Sequence, residues 1–353
     1  MPILARMVPG PVTVDIRRGA LHDLPNVLAD QRISAGGQVA VVVGPSFGAT
    51  LVDTVRHRLG SASIFTLGGG TVDAALELAD AIRRAGTFDA VIALGGGRVI
   101  DATKYLAARL GLPTVAVATN LAHDGIYSPV SILDNDSGRG SYGVPAPLAV
   151  LIDLDLVAAA PRRSVTAGIG EVLSNLSAIA DWELSRTETG EQVDGLALTF
   201  ARSAAQAVLH APGTADDDAF LVTLAESLVL SGLAMVVAGT SRPSSGACHE
   251  LSHAIDHLYS DRRRHHGEQV GVGAAFASWL RKDTDNLERT VVCLRRHGLP
   301  VTPAELGFTV AEYADAAVYA PQTRPGRFTV LEHLRLDRDA LGEAVTAFTA
   351  AVS

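Results

Sequence analysis

The chain has 353 residues, of which 48% are hydrophobic and 19% charged, and its formal net charge is −9 at pH 7. A chain of this length exceeds one ordinary hydrophobic core, so we expect two globular domains and little disorder. Because the balance is acidic and the basic residues are scattered, DNA and RNA are excluded as main partners.

Two cysteines, Cys248 and Cys293, are too few for a disulfide framework and suit a reducing compartment, which predicts a cytoplasmic protein. The N-terminal segment has no apolar core long enough for a signal peptide. The most apolar stretch, near Leu228 to Gly239, is expected to fall short of a membrane span, so no such span is predicted.

From Gln38 to about Asp153, short apolar runs alternate with amphipathic stretches. The predicted strands are VAVVVG, SIFTL, AVIAL and TVAVAT, and the helices between them are SFGATLVDTVRHRL, TVDAALELADAIRRAG and RVIDATKYLAARLG. Strands alternating with helices indicate a parallel sheet with crossover helices. We therefore predict a doubly wound α/β, dinucleotide-binding domain over residues 1–155.

Gly95, Gly96 and Gly97 lie where the predicted strand AVIAL passes into a helix. Glycines at such a turn let backbone amides approach a pyrophosphate, which the helix N-terminus stabilises. This favours a dinucleotide site, although close packing of the helix is the simpler alternative. A similar turn at Gly68 to Gly70 leaves open which of the two binds phosphate.

The run TNLAHDGIYSPVSIL, starting at Thr119, follows the next strand. Loops at the carboxyl ends of parallel strands lie at the crevice where ligands bind, so Thr119, His123, Asp124 and Ser128 are expected near cofactor and substrate. For Asp124-Gly125, ordinary turn chemistry is the alternative.

Beyond Asp155 the strand patterns nearly vanish, and Ala/Leu-rich segments with 3.6-residue periodicity follow. Breaks between helices are expected at Pro161, Gly190, Pro212, Pro243, Pro300 and Pro321. We predict an all-α domain over residues 156–353 that binds metal and substrate.

Three segments of this helical half carry metal-ligand side chains: Glu171 in GIGEVLSN, His249 and His253 in SSGACHELSHAIDH, and His266 in HHGEQVGVG. One carboxylate and two imidazoles suit a divalent ion such as zinc with an open position for a substrate oxygen. His249 and His253 are four apart and share one helix face. A helix N-terminal charge and hydrogen-bonded histidines are the alternatives, but the small residues around them favour a site.

The strings GGGRVIDATKYLA, HDGIYSPVSI, AGIGEVLSNLSAIADW, SSGACHELSHAIDH, HGEQVGVG and TRPGRFTVLEHL resemble, in order and approximate spacing, the sn-glycerol-1-phosphate dehydrogenase family. That family belongs to the iron-containing alcohol dehydrogenase and dehydroquinate synthase superfamily. The resemblance covers nearly the whole chain. It implies a dehydroquinate synthase-like fold, NAD or NADP as cofactor, Zn²⁺ or another divalent metal, and a homo-oligomer.

The resemblance also implies roles for individual residues. Glu171, His249 and His266 would hold the metal, Asp124 and His253 would be catalytic, and Asp124, Glu171 and His253 would contact substrate. The positions implied for the cofactor are Gly95, Gly96, Gly97, Arg98, Val99, Thr119, Asn120, Leu121, Ala122 and Ser128.

Three positions depart from the family pattern and leave the exact substrate open. Glu171 stands where the family usually has Asp, TNLA replaces TAAS, and SGACH replaces SGSEH. No acidic residue ends the strand SIFTL, so the sequence does not decide between NAD and NADP.

The expected reaction is hydride transfer between NAD(P)H and the ketone of a small hydroxyketone phosphate. The main example is the reduction of dihydroxyacetone phosphate to sn-glycerol 1-phosphate, a step of phospholipid biosynthesis. Arg242, Arg324 and Arg327 are candidate phosphate contacts, with surface roles equally open. The alternatives are a non-redox cyclase or lyase of the dehydroquinate synthase type and a scaffold without chemistry.

Overall fold

The computed structural model describes residues 10–45, 47–60, 62–136 and 138–353, with the backbone alone for residues 47–50. The strands are β1 (Thr13–Arg17), β2 (Val39–Val43), β3 (Ser63–Thr66), β4 (Ala90–Gly95), β5 (Thr114–Ala118), β6 (Val130–Asn135), β7 (Gly138–Gly143) and β8 (Ala149–Asp153). The helices are α1 (Leu24–Leu28), α2 (Phe47–Leu59), α3 (Val72–Ala85), α4 (Gly97–Leu110), α5 (Leu154–Ala159), α6 (Arg162–Thr189), α7 (Gly195–His210), α8 (Asp218–Ala238), α9 (Ala247–Leu258), α10 (His266–Leu280), α11 (Thr284–Arg296), α12 (Pro303–Leu306), α13 (Val310–Tyr319), α14 (Val330–Leu334) and α15 (Arg338–Val352).

Six strands form a parallel sheet in the order β1-β8-β5-β4-β2-β3. The inner strands β2, β4, β5 and β8 are buried along their whole length, which is why their sequences are continuous apolar runs. The chain runs from β2 outward to β3 and then returns past β2 to β4. The topological switch point therefore lies between β2 and β4, where open α/β sheets bind ligands. The doubly wound prediction, with its four strands and three helices, is confirmed.

Four strands, β1, β6, β7 and β8, were not among the predicted ones. β1 pairs with β8 at one edge of the sheet, and β6 and β7 form an antiparallel hairpin in a stretch that the sequence presents as a loop. Glycines at positions 138, 140 and 143 disfavour β7 by propensity. Tertiary packing overrides that propensity, since β6 lies against α4 and inserts Leu133 into the core beside it.

The second half is helical, and among the described residues no strand follows Asp153. The long helix α6 begins after Pro161 and ends at Gly190, whose φ of +78° is left-handed, while α7 ends two residues before Pro212. These boundaries agree with the expected breaks. One shared core joins the halves: Ala116 and Val150 of the sheet lie in the same buried cluster as Leu173 of α6.

The helix α8 has 21 residues and a mean hydropathy of 2.1, which makes it the one described helix long and apolar enough to cross a membrane. The prediction that this stretch falls short of a span was therefore wrong on length, because the helix extends ten residues upstream of Leu228. In the fold, 61% of its apolar window is buried, and α8 packs along α7. Apolar composition on several sides is expected of a core helix as well as of a membrane span.

Candidate metal and cofactor site

Three helices bring Glu171, His249 and His266 together. One ligand atom from each lies within 4.8 Å of the others, and in the described part of the chain no other three acidic, histidine or cysteine side chains form such a group. The Oε1 atom of Glu171 is 4.0 Å from Nε2 of His249, and its Oε2 atom is 3.6 Å from Nε2 of His266. The residues predicted as metal ligands thus converge from α6, α9 and α10.

The donors fit a divalent cation. Two ligands about 2.1 Å from a tetrahedral ion lie about 3.4 Å apart, close to the separations around Glu171. Its Oε2 atom is buried and has no hydrogen-bond partner among the described residues. A buried carboxylate oxygen without a partner is costly, and a cation at this point would satisfy it.

Burial sets the protonation of the three side chains. Desolvation, followed by the charges of Arg324 and Arg327, lowers the pKa of His249 to about 3, and desolvation holds the pKa of His266 well below its usual value. Both imidazoles are therefore neutral, the form that ligates metal. The pKa of Glu171 is raised by desolvation and by the neighbouring Asp124, so its ionised form lacks a compensating positive charge.

Two glycines allow the ligand-bearing helices to approach. A Cβ atom at Gly170, next to Glu171, would lie 2.1 Å from the carbonyl oxygen of Gly267. A Cβ atom at Gly267, next to His266, would lie 1.7 Å from the carbonyl oxygen of Ala167. Backbone therefore packs on backbone where α6 crosses α10, and this contact sets the spacing between Glu171 and His266.

A buried carboxylate, Asp181, fixes the start of α9, which carries His249. Its Oδ2 atom accepts the amide of Ala247 at 2.8 Å, as a negative charge at a helix N-terminus should. Its Oδ1 atom accepts from Arg281 at 2.6 Å and from the amide of Val330 at 3.0 Å. Sequence reasoning missed Asp181, although an aspartate within the apolar run SAIADW of α6 is an available signal.

The triad opens into a pocket that also contains Asp124, His253 and Arg324, with serines along its wall. Ser231 donates to Oδ2 of Asp124 at 2.8 Å. Desolvation raises the pKa of Asp124 to about 6, against the lowering effect of that hydrogen bond. Both side chains predicted to be catalytic, Asp124 and His253, therefore face the same space as the triad.

Lys104, which sequence reasoning missed, organises the loop that carries Asp124. Its ammonium is fully buried and lies 3.0 Å from Oδ1 of Asp101. It donates to the carbonyls of Gly125 at 2.8 Å and of Ser128 at 3.2 Å. A buried lysine must be paired in this way, and the pairing holds the turn after Asp124. The signal available in the sequence is a lysine on the apolar side of α4.

An open groove passes the carboxyl ends of β2 and β4 at the switch point, and its lining includes Gly95, Gly96, Gly97, Arg98, Val99, Thr119, Asn120 and Ala122. The groove has about 1930 Å³ of empty space, some of it open solvent. The glycine turn starts α4, with Gly96 as N-cap, so the N-terminal end of this helix lies at the groove. Added Cβ atoms at Gly96 and Gly97 would lie 2.4 Å from Asn120 and 1.8 Å from His123.

The two remaining residues predicted to contact the cofactor lie elsewhere. Leu121 is fully buried, and its carbonyl lies where α6 passes at Gly168. Ser128 lines the pocket of the triad and donates to the carbonyl of Val130. Gly70 of the second glycine turn also lines the groove, and a Cβ atom there would lie 3.0 Å from the side chain of Arg98.

The structure separates the three candidate arginines. Arg242 is buried, pairs with Glu191 and donates to the carbonyl of Phe328 at 2.9 Å. Arg327 donates to the carbonyl of Ser245 and to Ser241. Arg324 alone of the three lines the pocket.

The pocket and the groove are continuous, because Asp101, His123, Arg139 and His266 line both. A nucleotide in the groove would therefore lie next to a substrate in the pocket. Such an arrangement suits direct transfer between two bound molecules.

The sequence model of the iron-containing alcohol dehydrogenase family matches residues 15–161 of this chain. The glycerol-1-phosphate dehydrogenase [NAD(P)+] of Thermofilum pendens is 36% identical over 334 residues, which cover 93% of this chain and 94% of that relative. The chain belongs to the glycerol-1-phosphate dehydrogenase family. The relative of the same name from Pyrococcus furiosus is 32% identical over 340 residues, 95% of this chain and 96% of that one.

Solved structures agree with this family in their fold. Glycerol dehydrogenase from Schizosaccharomyces pombe superposes with a TM-score of 0.76 at 20% identity, covering 99% of this chain and 91% of that one. Sulfoacetaldehyde reductase from Bifidobacterium kashiwanohense, solved with NAD+, superposes with a TM-score of 0.72 at 17% identity over 98% and 99% of the two chains. The predicted fold class, a nucleotide-binding α/β half followed by a helical half, is confirmed.

Proposed function

We propose that this chain is an NAD(P)-dependent, metal-dependent oxidoreductase that interconverts dihydroxyacetone phosphate and sn-glycerol 1-phosphate. One observation carries the proposal: Glu171, His249 and His266 converge in a pocket that holds Asp124 and continues into the groove at the glycine turn. The names of the relatives, glycerol-1-phosphate dehydrogenase [NAD(P)+], support this reaction over the cyclase alternative. A cytoplasmic location and a homo-oligomer remain predictions.

Glu171, His249 and His266 would hold a divalent ion, for which zinc suits the two nitrogens and one oxygen. When bound, such an ion polarises a carbonyl oxygen and stabilises the negative charge that develops on it. The presence of all three ligand-type residues argues against a scaffold that has lost its chemistry.

Asp124 and His253 would orient the substrate. One carboxylate oxygen of Asp124 accepts a hydrogen bond from Ser231. The side chain faces the pocket, where it can also accept a hydrogen bond from a substrate hydroxyl. His253 is neutral, since desolvation and the charge of Arg324 keep its pKa well below its usual value. A neutral imidazole beside the reacting oxygen can hydrogen-bond to it and relay a proton.

Arg324 would bind the phosphate. It is the one candidate arginine that lines the pocket and is not paired with a carboxylate among the described residues. A guanidinium binds phosphate oxygens through charge-assisted hydrogen bonds, often two at once. This gives the pocket a phosphate end, at Arg324, and a ketone end, at the triad.

The test uses the purified chain with Zn²⁺ and dihydroxyacetone phosphate, and follows the absorbance of NADH and of NADPH. We expect one reduced nucleotide to be oxidised for each product molecule, and the product to be sn-glycerol 1-phosphate when its enantiomers are resolved. Unphosphorylated dihydroxyacetone is the matched control and should turn over poorly. Substrate conversion with no net change in NADH would support a cyclase and refute the proposal.

A further inference from the structure

A chain of buried hydrogen bonds begins at His266. Its Nδ1 atom lies 3.0 Å from Oγ of Ser252, and Ser252 donates to Oε1 of Gln269 at 3.2 Å. Gln269 in turn donates through Nε2 to Oδ1 of Asp256 at 3.3 Å. Ser252, Gln269 and Asp256 are all buried, so none of these groups has water as a ready alternative partner.

The helical repeat brings these side chains into register. Ser252 and Asp256 are four residues apart on α9, and His266 and Gln269 are three apart on α10, so each pair shares a helix face. α9 and α10 pack closely along their length, which lets the two faces interleave.

The order of donors and acceptors in the chain has one consistent solution. An ionised carboxylate only accepts, so Gln269 must turn its amide nitrogen toward Asp256 and its oxygen toward Ser252. The single hydroxyl proton of Ser252 is then given to Gln269. Ser252 can only accept from His266, which requires the proton of that ring to be on Nδ1.

We propose that Ser252, Gln269 and Asp256 are positioning residues that hold His266 in its Nδ1-protonated tautomer, with the lone pair of Nε2 directed at the cation position beside Glu171. The inference rests on the proposed metal site. Partners that hold the far nitrogen of a ligating histidine fix its ring and raise its basicity, and their loss weakens metal binding by about 10- to 100-fold.

The series of hydrogen bonds from His266 ends at a residue of the β6–β7 hairpin. Arg139 donates to Oδ2 of Asp256 at 2.5 Å, so the second carboxylate oxygen has a partner of its own. Asp256 therefore keeps Oδ1 for Gln269. We call the hydrogen-bonded series Ser252, Gln269 and Asp256 the relay. Because Arg139 lines both the groove and the pocket, the relay connects His266 to a residue shared by the proposed cofactor and substrate sites.

The first test measures the Kd for Zn²⁺ by competition with a chromophoric chelator. We expect Ser252→Ala and Gln269→Met each to raise this Kd by about 10- to 100-fold. Ser278→Ala, which removes a buried serine hydroxyl near the other end of α10, is the matched control and should leave the Kd unchanged.

The double variant separates a relay from a general loss of packing. Among the described residues, the hydrogen bonds of Gln269 lead to His266 through Ser252. The Ser252→Ala/Gln269→Met protein should therefore bind zinc no more weakly than whichever single variant binds it more weakly. Multiplied effects of the two substitutions would overturn the proposal. So would a Kd equal to that of the wild type in Ser252→Ala.

The second test reads the tautomer directly in metal-free protein labelled with ¹⁵N-histidine. The His266 signals, identified by their loss in His266→Gln, should report a proton on Nδ1 in the wild type and a mixture of tautomers in Ser252→Ala. A proton on Nε2 in the wild type would overturn the relay while leaving the proposed function intact. A wild-type chain that binds no divalent ion would instead refute the metal site itself and the relay with it.

Discussion

The guanidinium of Arg324 lies 3.2 Å from Nε2 of His253. Because arginine can only donate, that nitrogen accepts, and the neutral imidazole carries its proton on Nδ1. This contact joins the proposed phosphate end of the pocket to a side chain beside the ketone end. A phosphate drawn to Arg324 would therefore compete for, or share, the group that orients His253.

Replacing Arg324 by glutamine should separate phosphate binding from ketone reduction. We expect Arg324→Gln to raise KM for dihydroxyacetone phosphate by about 10- to 100-fold, which corresponds to one or two charge-assisted hydrogen bonds. The rate with unphosphorylated dihydroxyacetone should change much less. Arg338→Gln, at an exposed ion pair with Asp315, is the control. An equal loss with both substrates would show that Arg324 serves His253 rather than phosphate.

Substitution of the triad carboxylate should reveal the metal directly. Glu171→Gln removes the negative charge, so we expect its affinity for Zn²⁺ to fall at least about 100-fold, with activity lost in parallel. Glu171→Asp keeps the charge on an arm shorter by one methylene and should retain part of the affinity. Glu188→Gln, about half exposed beside His333, serves as control. Zinc content that is the same in wild type and Glu171→Gln would contradict the ligand assignment.

The α6–α10 crossing predicts that one methyl group can disable the site. Gly267→Ala would place Cβ 1.7 Å from the carbonyl oxygen of Ala167, so the helices must separate. We expect a loss of about 1–3 kcal/mol in the free energy of unfolding, as for overpacked cores, together with weakened zinc binding. Chemical denaturation and metal titration measure the two effects.

Gly342→Ala provides the opposite expectation within the same chain. Gly342 lies in α15 with no atom within 4 Å of an added Cβ. Alanine there should stabilise the protein by up to about 1 kcal/mol and leave zinc binding unchanged. If both glycine variants behave alike, close approach of α6 and α10 is not what sets the triad.

His297 should make the fold sensitive to acid. Desolvation, followed by the charges of Arg296 and Arg162, lowers its pKa to about 4, and its Nε2 atom accepts from Arg296 at 3.2 Å. Its folded pKa is below the unfolded value, so the stabilisation is complete above about pH 6.5 and is lost as the pH falls toward 4. The loss amounts to at most about 3 kcal/mol.

The measurement compares melting temperatures at pH 7 and pH 5. The decrease on acidification should be smaller for His297→Gln than for the wild type, because the variant has no imidazole to protonate. His333→Gln, which replaces a partly exposed histidine, is the control, and its melting temperature should fall as much as that of the wild type. Identical decreases in all three proteins would show that His297 does not contribute.

Residue types and their spacing along the chain were enough to predict most of the local elements and the kind of chemistry. Continuous apolar runs such as VAVVVG, alternating with amphipathic stretches, indicated strands buried on both faces, and proline and glycine positions marked helix ends because their backbone constraints act locally. The residue types at positions 171, 249 and 266 indicated a metal for the same reason, since ligand chemistry belongs to the side chain itself.

Tertiary structure decided which side chains meet. Leu121 belongs to the core although its neighbours Asn120 and Ala122 line the groove, because backbone direction at a turn is not encoded in residue type. The hairpin formed against its glycine content because pairing and contact with α4 outweigh propensity. The carbonyls that accept from Lys104 and the serine that contacts His266 likewise come from residues distant in sequence. Their hydrogen bonds exist only once the packed helices exclude water and leave each buried donor and acceptor no other partner.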